Sequence, residues 1–189
     1  MTVFLILINF LFFIWAELKG GTQDLENMIA CGAIYPPLLT EGGEYYRLLT
    51  GMFLHFGIEH LLNNMLILFV LGQRLEPVCG KLIFLIVYFV GGLGGNVISL
   101  YLEQYRLEYW SVSAGASGAV FAVMGAMLYV LIRNKGRVQD LSARQILIMA
   151  AFSLYFGFTS SGVDNAAHVG GLLCGFIAAL IFYHPKRKY

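Results

Sequence analysis

The sequence is poor in charge. Its 189 residues hold 12 Lys and Arg and 11 Asp and Glu, together 12% of the chain, about half the ~25% usual for soluble domains. So few charges could not cover a soluble globule of this length, which would expose contiguous apolar patches. The composition therefore argues against a soluble enzyme. A net charge of +1 argues against a nucleic-acid partner. Cysteine is scarce as well: three residues, Cys31, Cys79 and Cys174, make no disulfide framework and no metal-ligand spacing, so they read as free thiols. Neither low hydrophobicity nor excess charge marks the chain as disordered. What is abundant is apolar: 59% hydrophobic residues and a mean hydropathy of +0.74. The class that remains is an all-α polytopic membrane protein.

A helix needs about 20 mainly apolar residues to cross a bilayer. Residues 1–16, 82–102, 109–132, 145–163 and 165–185 carry no Asp, Glu, Lys or Arg, and 48–73 carry only Glu59. These windows predict six spans over about 2–17, 56–74, 82–102, 114–133, 144–159 and 165–184, in one membrane domain covering 1–189. The first window lacks the positive n-region and small-residue cleavage site of a signal peptide, so a retained span is expected. With a cytoplasmic N-terminus, Arg74, Lys81, Arg133, Lys135, Arg137, Arg144, Lys186, Arg187 and Lys188 fall on the cytoplasmic side. Lys19, Arg47 and Arg106 fall on the other. That bias over short loops is a positive-inside signal and predicts six helices with both termini cytoplasmic. A long external loop, about 18–55, contains Tyr35-Pro36-Pro37, Gly42-Gly43 and Tyr45-Tyr46-Arg47. Its aromatic, amphipathic character suits the membrane interface.

Polar groups inside spans are costly and mark function by default. Span two carries His60, Asn63 and Asn64, and span three carries Asn96 and Ser99. Span four opens on Gly115-Ala116-Ser117-Gly118, and span six on Asn165-Ala166-Ala167-His168. A lone Asn or Ser in such a place usually makes an interhelical hydrogen bond. Here spans two, four and six begin on the same side, so His60, Asn64, Ser117 and His168 share a depth. A serine beside a histidine suggests nucleophile and general base, since a hydroxyl needs a base to be reactive near neutral pH. His60 and Asn64, at i and i+4, share a helix face. With the backbone N–H of Ser117 they could supply an oxyanion hole. Gly118 and Ala122, and Gly171 and Gly175, form small-residue faces that let helices approach closely. Asp164 stands four residues before His168, where capping is the expected role, so the constellation reads as a Ser–His dyad. His55, five residues before His60, is expected to face elsewhere with a structural role, and His184 to sit at the interface.

These motifs, in this order, resemble those of rhomboid intramembrane serine proteases. Gly115-Ala116-Ser117-Gly118 matches the family's GxSG, Ala167-His168-x-x-Gly171-x-x-x-Gly175 its AHxxGxxxG, and His60-x-x-x-Asn64 its HxxxN. Tyr46-Arg47 resembles the aromatic–Arg element of the first loop, and Met124 and Gly125 fit the pattern after the serine. The resemblance implies a minimal six-helix rhomboid-like bundle with Ser117 as nucleophile and His168 as base. It implies an oxyanion hole of His60, Asn64 and the Ser117 backbone. Gly115, Gly118, Phe121, Gly171 and Gly175 would support the site. Phe121 departs from the pattern, since many members carry a Tyr there that stacks on the histidine. The implied activity is cleavage of transmembrane segments of membrane proteins near the external boundary, with no cofactor and no metal. The implied partners are such substrates and the lipid bilayer, and the implied location is the plasma membrane in a prokaryote. In the family the fifth helix and the loop after it, here about 159–164, are proposed as gate and cap. The alternatives are a non-proteolytic rhomboid-like membrane chaperone, which would typically lack the serine or the histidine, and a small transporter, of which an inverted repeat would be the sign.

Overall fold

The structure, a computed structural model, describes residues 1–103, 110–134, 137–138, 140–159 and 162–185. Nine α-helices are described: α1 (Thr2–Gly20), α2 (Leu25–Ala30), α3 (Pro36–Thr40), α4 (Arg47–Thr50), α5 (Gly57–Cys79), α6 (Lys81–Glu103), α7 (Ser117–Arg133), α8 (Ala143–Thr159) and α9 (Asn165–Phe182). A two-residue antiparallel pair, β1 (Arg137–Val138) with β2 (Leu141–Ser142), joins α7 to α8. Local chemistry sets several boundaries. Pro36 opens α3, where its missing N–H costs nothing. Asp24 and Asp164 cap α2 and α9 by accepting from Asn27 N–H and Ala167 N–H. Gly80, at φ +86°, is the single residue that turns α5 into α6.

α1, α6 and α9 are each long and apolar enough to cross a membrane. The bent pair Arg47–Phe53 and Gly57–Cys79, folded by 90°, also qualifies if counted as one span, and α7 and α8 are shorter apolar helices. Large hydrophobics cover the outside: Phe4, Leu7 and Leu11 of α1 and Phe152, Tyr155 and Phe156 of α8 are among the exposed residues. Such a surface needs lipid, not water. The protein is an integral, multi-pass membrane protein. Of the charges that set the expected orientation, Arg106, Lys135, Lys186, Arg187 and Lys188 lie outside the described residues.

The core is a triangle of α6, α7 and α9 in which backbones nearly touch. A Cβ built on Gly171 would collide with the Gly118 carbonyl. One on Gly175 would collide with the Ala122 carbonyl, one on Gly125 with the Leu172 carbonyl, and one on Gly91 with the Ala122 side chain. Without a hydrophobic driving force between helices in lipid, this close packing is what holds them. α1 packs on α5, and α5 in turn on α6 and α7. Leu68, Leu71, Leu75, Phe84 and Tyr88 fill the shared interior. α8 is attached more thinly, burying only Ile146, Ala150 and Gly157.

The segment between α1 and α5 has structure of its own. Arg47, 5% exposed, donates from Nη1 to the carbonyls of Ile29 (2.6 Å) and Ala33 (3.0 Å), and from Nε to Glu44 (2.7 Å). The Tyr46 hydroxyl and the Arg47 guanidinium together hold the Glu44 carboxyl below its usual range. Ile34 and Ser113 exchange backbone hydrogen bonds of 2.9 Å in both directions, Gly115 N–H donates to the Gly51 carbonyl at 2.8 Å, and Asn96 Nδ2 donates to the Leu48 carbonyl at 2.8 Å. The first loop is thereby fastened to α6 and to the strand-like run that leads into α7. About four turns along α5 from His60, at the opposite end, Arg74 binds Asp140 through two hydrogen bonds of 2.7 and 2.8 Å. This partner holds the Asp140 carboxyl down at about 2.

Candidate active site

Ser117 is the first residue of α7. Three of the four residues before it are held from outside the helix: Ser113 by Ile34, Gly115 by the Gly51 carbonyl, and Ala116 by His55, whose Nε2 accepts its N–H at 3.2 Å. Gly115 has φ +148°. A Cβ there would stand 2.8 Å from Cε1 of His60 and 3.6 Å from Oγ of Ser117. Glycine at this place leaves room for the His60 imidazole beside the serine hydroxyl.

His168 lies at the start of α9 and is 7% exposed. Its ring stacks on Phe121, with centroids 4.4 Å apart and planes at 13°. Phe121 is one turn beyond Ser117 and so on the same face of α7. The stack sets the imidazole against the serine's side of that helix, and the glycine seam between α7 and α9 makes the approach possible. Nδ1 of His168 is buried with no hydrogen-bond partner among the described residues. Asp164 does not reach it: Oδ1 accepts the Ala167 N–H at 2.9 Å, as a cap does.

Asn64 is 6% exposed and donates one amide hydrogen to the His60 carbonyl at 3.0 Å. This bond fixes the side chain one turn from His60 on the same face. Ser117, His168, His60 and Asn64 all line one cavity of about 640 Å³, together with Gly115, Gly118 and Phe121. Gly171 and Gly175 are not in its wall. They lie on the α7–α9 seam behind it. Asn63 and Ser153 add polar groups from α5 and α8, and Phe156 closes one side.

The arrangement has the parts of an acyl-transfer site. A hydroxyl and an imidazole face one cavity, and a helix begins at the hydroxyl with N–H groups that have no partner inside the helix. An amide and a second imidazole line the same cavity. Among the described residues no cluster of three or more His, Cys, Asp or Glu could hold a metal.

His55 has the structural role expected of it but not the expected facing. On a continuous helix His55 would point away from His60. The chain instead bends by 90° between residues 53 and 57, so the two rings meet edge to face at 5.1 Å. His55 is fully buried, braces His60 from behind and holds the Ala116 backbone. A histidine directly before a span was the available signal.

The family profile described as Rhomboid domain matches residues 42–185. The chain is 37% identical over 185 residues to "Rhomboid protease GluP" of Bacillus subtilis, covering 98% of this chain and 35% of that one. It is 39% identical over 169 residues to "RHOMBOID-like protein 6, mitochondrial" of Arabidopsis thaliana, covering 87% and 51%. It is 31% identical over 211 residues to "Rhomboid protease AarA" of Providencia stuartii, covering 100% and 74%. The chain thus spans about a third of the first relative's length and about half of the second's.

Proposed function

The chain belongs to the rhomboid family, and from that premise we propose that it is a serine-type intramembrane endopeptidase working through a Ser117–His168 dyad. The observation that carries the reading is the convergence of Ser117, His168, His60 and Asn64 on one cavity, with the His168 ring held by Phe121. In this reading Ser117 Oγ attacks the scissile carbonyl carbon while Nε2 of His168 takes its proton. The carbonyl π electrons move onto oxygen. The Ser117 N–H, the Asn64 amide and the His60 imidazole stabilise that oxyanion. Collapse breaks the C–N bond, His168 returns the proton to the leaving amine, and an acyl-serine remains. Water, activated by the same imidazole, then hydrolyses the ester. Among the described residues no carboxylate accepts from Nδ1 of His168. Ring stacking takes over the orienting task that an aspartate performs in a triad.

The substrates are membrane proteins with a transmembrane helix, cut near the external boundary. An intact helix hides its carbonyls, so the substrate must unwind locally before Ser117 can reach one. Six spans with cytoplasmic termini belong to the same proposal, supported by the positive-inside bias of the loops. So do a single membrane domain, the external placement of the first loop and a plasma-membrane location in a prokaryote.

Labelling with a serine-directed fluorophosphonate tests the reading, together with cleavage of a panel of reporter transmembrane segments. Label on Ser117, lost in Ser117→Ala and His168→Ala together with cleavage, is the expected result. A folded protein that is neither labelled nor active would point to a non-proteolytic role, such as a membrane chaperone or a transporter.

A further inference from the structure

Asp164 does more than cap α9. Oδ1 accepts the Ala167 N–H, and Oδ2 accepts two hydroxyls, from Ser99 at 2.6 Å and from Ser113 at 3.0 Å. Each donor sits on a different element. Ser99 is on α6, Ser113 is in the run that leads into Ser117, and Ala167 is in the first turn of α9. The His168 N–H donates to the Asp164 carbonyl at 3.1 Å, so the base hangs directly from this residue. Ser113 is itself fixed, since its backbone is paired with Ile34 on both sides.

Capping alone does not require a carboxylate, because Ser, Thr and Asn serve as well. The second oxygen is what distinguishes Asp: it accepts from both hydroxyls as part of a charged group, whereas the amide nitrogen of an Asn would remove the charge and force both hydroxyls to turn and accept. Hydrogen bonds to a charged acceptor are also the shorter and stronger ones. Asp164 further forms a partition, lining both the active-site cavity and a neighbouring one of about 740 Å³ between α6 and α9.

We propose that Asp164 is a positioning residue for the proteolytic reaction: through Ser113 on one side and the first turn of α9 on the other, it sets the distance between the segment carrying Ser117 and the helix carrying His168. This inference rests on the Ser117–His168 reading. Asp164 touches no reacting atom. It links nucleophile to base because both hang within a few residues of its two oxygens, which the cavity lining by itself does not do.

Three variants test it in purified full-length protein: Asp164→Asn, Asp164→Ala and Ser113→Ala. Asp164→Asn keeps the cap and disturbs the hydroxyl contacts. Ser113→Ala keeps both the cap and the Ser99 contact. The readouts are the fluorophosphonate labelling rate of Ser117, kcat and KM for one reporter segment, and the melting temperature. A misplacement of ~1 Å at a reacting centre costs on the order of 10²-fold. Loss of one tie should therefore lower kcat and the labelling rate about tenfold in Asp164→Asn and in Ser113→Ala, with KM little changed. Asp164→Ala should lose more. The double variant Asp164→Asn/Ser113→Ala should be no worse than Asp164→Asn, because the two changes remove one shared contact. If Asp164→Asn and Ser113→Ala label and turn over at the wild-type rate, Asp164 is a cap and the proposal is overturned, whatever their melting temperatures. If a poorly folding Asp164 variant is the obstacle, Ser113→Ala decides by itself. If the wild type takes no label and cuts nothing, the dyad reading fails, and this inference fails with it.

Discussion

α9 and α8 are consecutive helices of nearly equal length, 18 and 17 residues, yet they are attached in opposite ways. α9 lies backbone against backbone on α7 and α6, through glycines that tolerate no side chain, and it carries His168. α8 buries three residues and turns Phe152, Tyr155, Phe156 and Phe158 outward, each at least 60% exposed. In the proposed dyad reading, the tight side holds the groups whose spacing the chemistry depends on. The loose side forms a wall of the same cavity through Ser153, Phe156 and Gly157. Catalytic spacing needs a rigid seam. If the proposed substrate is a membrane helix, its entry needs a wall that can yield, and regions of few buried contacts are where local opening is easiest.

The comparison is sharpest at the dyad. Ser117→Ala and His168→Ala should each abolish cleavage of a reporter segment while the melting temperature stays near wild type. The double variant should be no worse than either single one, because the two residues act as one unit. Substantial turnover in either purified single variant would detach the chemistry from the tight side.

Next comes the seam itself. Gly175→Val forces a branched side chain into the Ala122 carbonyl. Overpacking of a side-chain core costs roughly 1–3 kcal/mol, and a backbone contact has less room to relax. The expected outcome is a large fall in melting temperature with loss of labelling. A folded, active Gly175→Val would show that α9 can ride away from α7 without harm.

Asn64→Ala should have a smaller effect. Removing one oxyanion-hole donor costs about 10²–10³ in turnover in the best-known serine hydrolase case. Turnover should fall well below wild type but stay above Ser117→Ala, with slower labelling, and His60→Ala should do more harm. Unchanged turnover with a normal melting curve would leave Asn64 as a packing residue.

On the loose side the sign changes. Phe152→Ala or Phe156→Ala removes an exposed ring, so cleavage should hold level or rise and stability should change little. A loss as complete as that of Ser117→Ala, in folded protein, would contradict the contrast between the two helices. The smallest effect is expected at the tether of the loose side, where Arg74 holds Asp140. The folded-state carboxyl titrates at about 2, below its ordinary value, so any stabilisation is present above the ordinary carboxylate range and is lost as pH falls toward 2. Asp140 is exposed and such pairs are screened, so Asp140→Asn should leave the melting temperature at pH 7 unchanged within error.

Much of this was readable in the sequence, for a physical reason. Membrane helices must be long and apolar, so charge-free windows mark the helical segments. Intramembrane polar residues are expensive, so Ser117, His168, His60 and Asn64 stood out against their background. The motif order then carried the family. The glycines announced close packing, because small residues at four-residue spacing have little other use in lipid. What the sequence could not yield was any effect of the chain leaving its helical period. The bend before α5 brings His55 against His60, against the helical phase that would set them apart. The first loop reads as an amphipathic segment suited to the membrane interface, but its clamp is long-range: Arg47 reaches carbonyls 14 and 18 residues away, and Ile34 pairs with Ser113. The same holds for Asp164. Its spacing to Ala167 declares a cap, which is a local matter. Its second oxygen meets hydroxyls 51 and 65 residues distant, partners that only the packing of α6 and α9 around the serine segment could select.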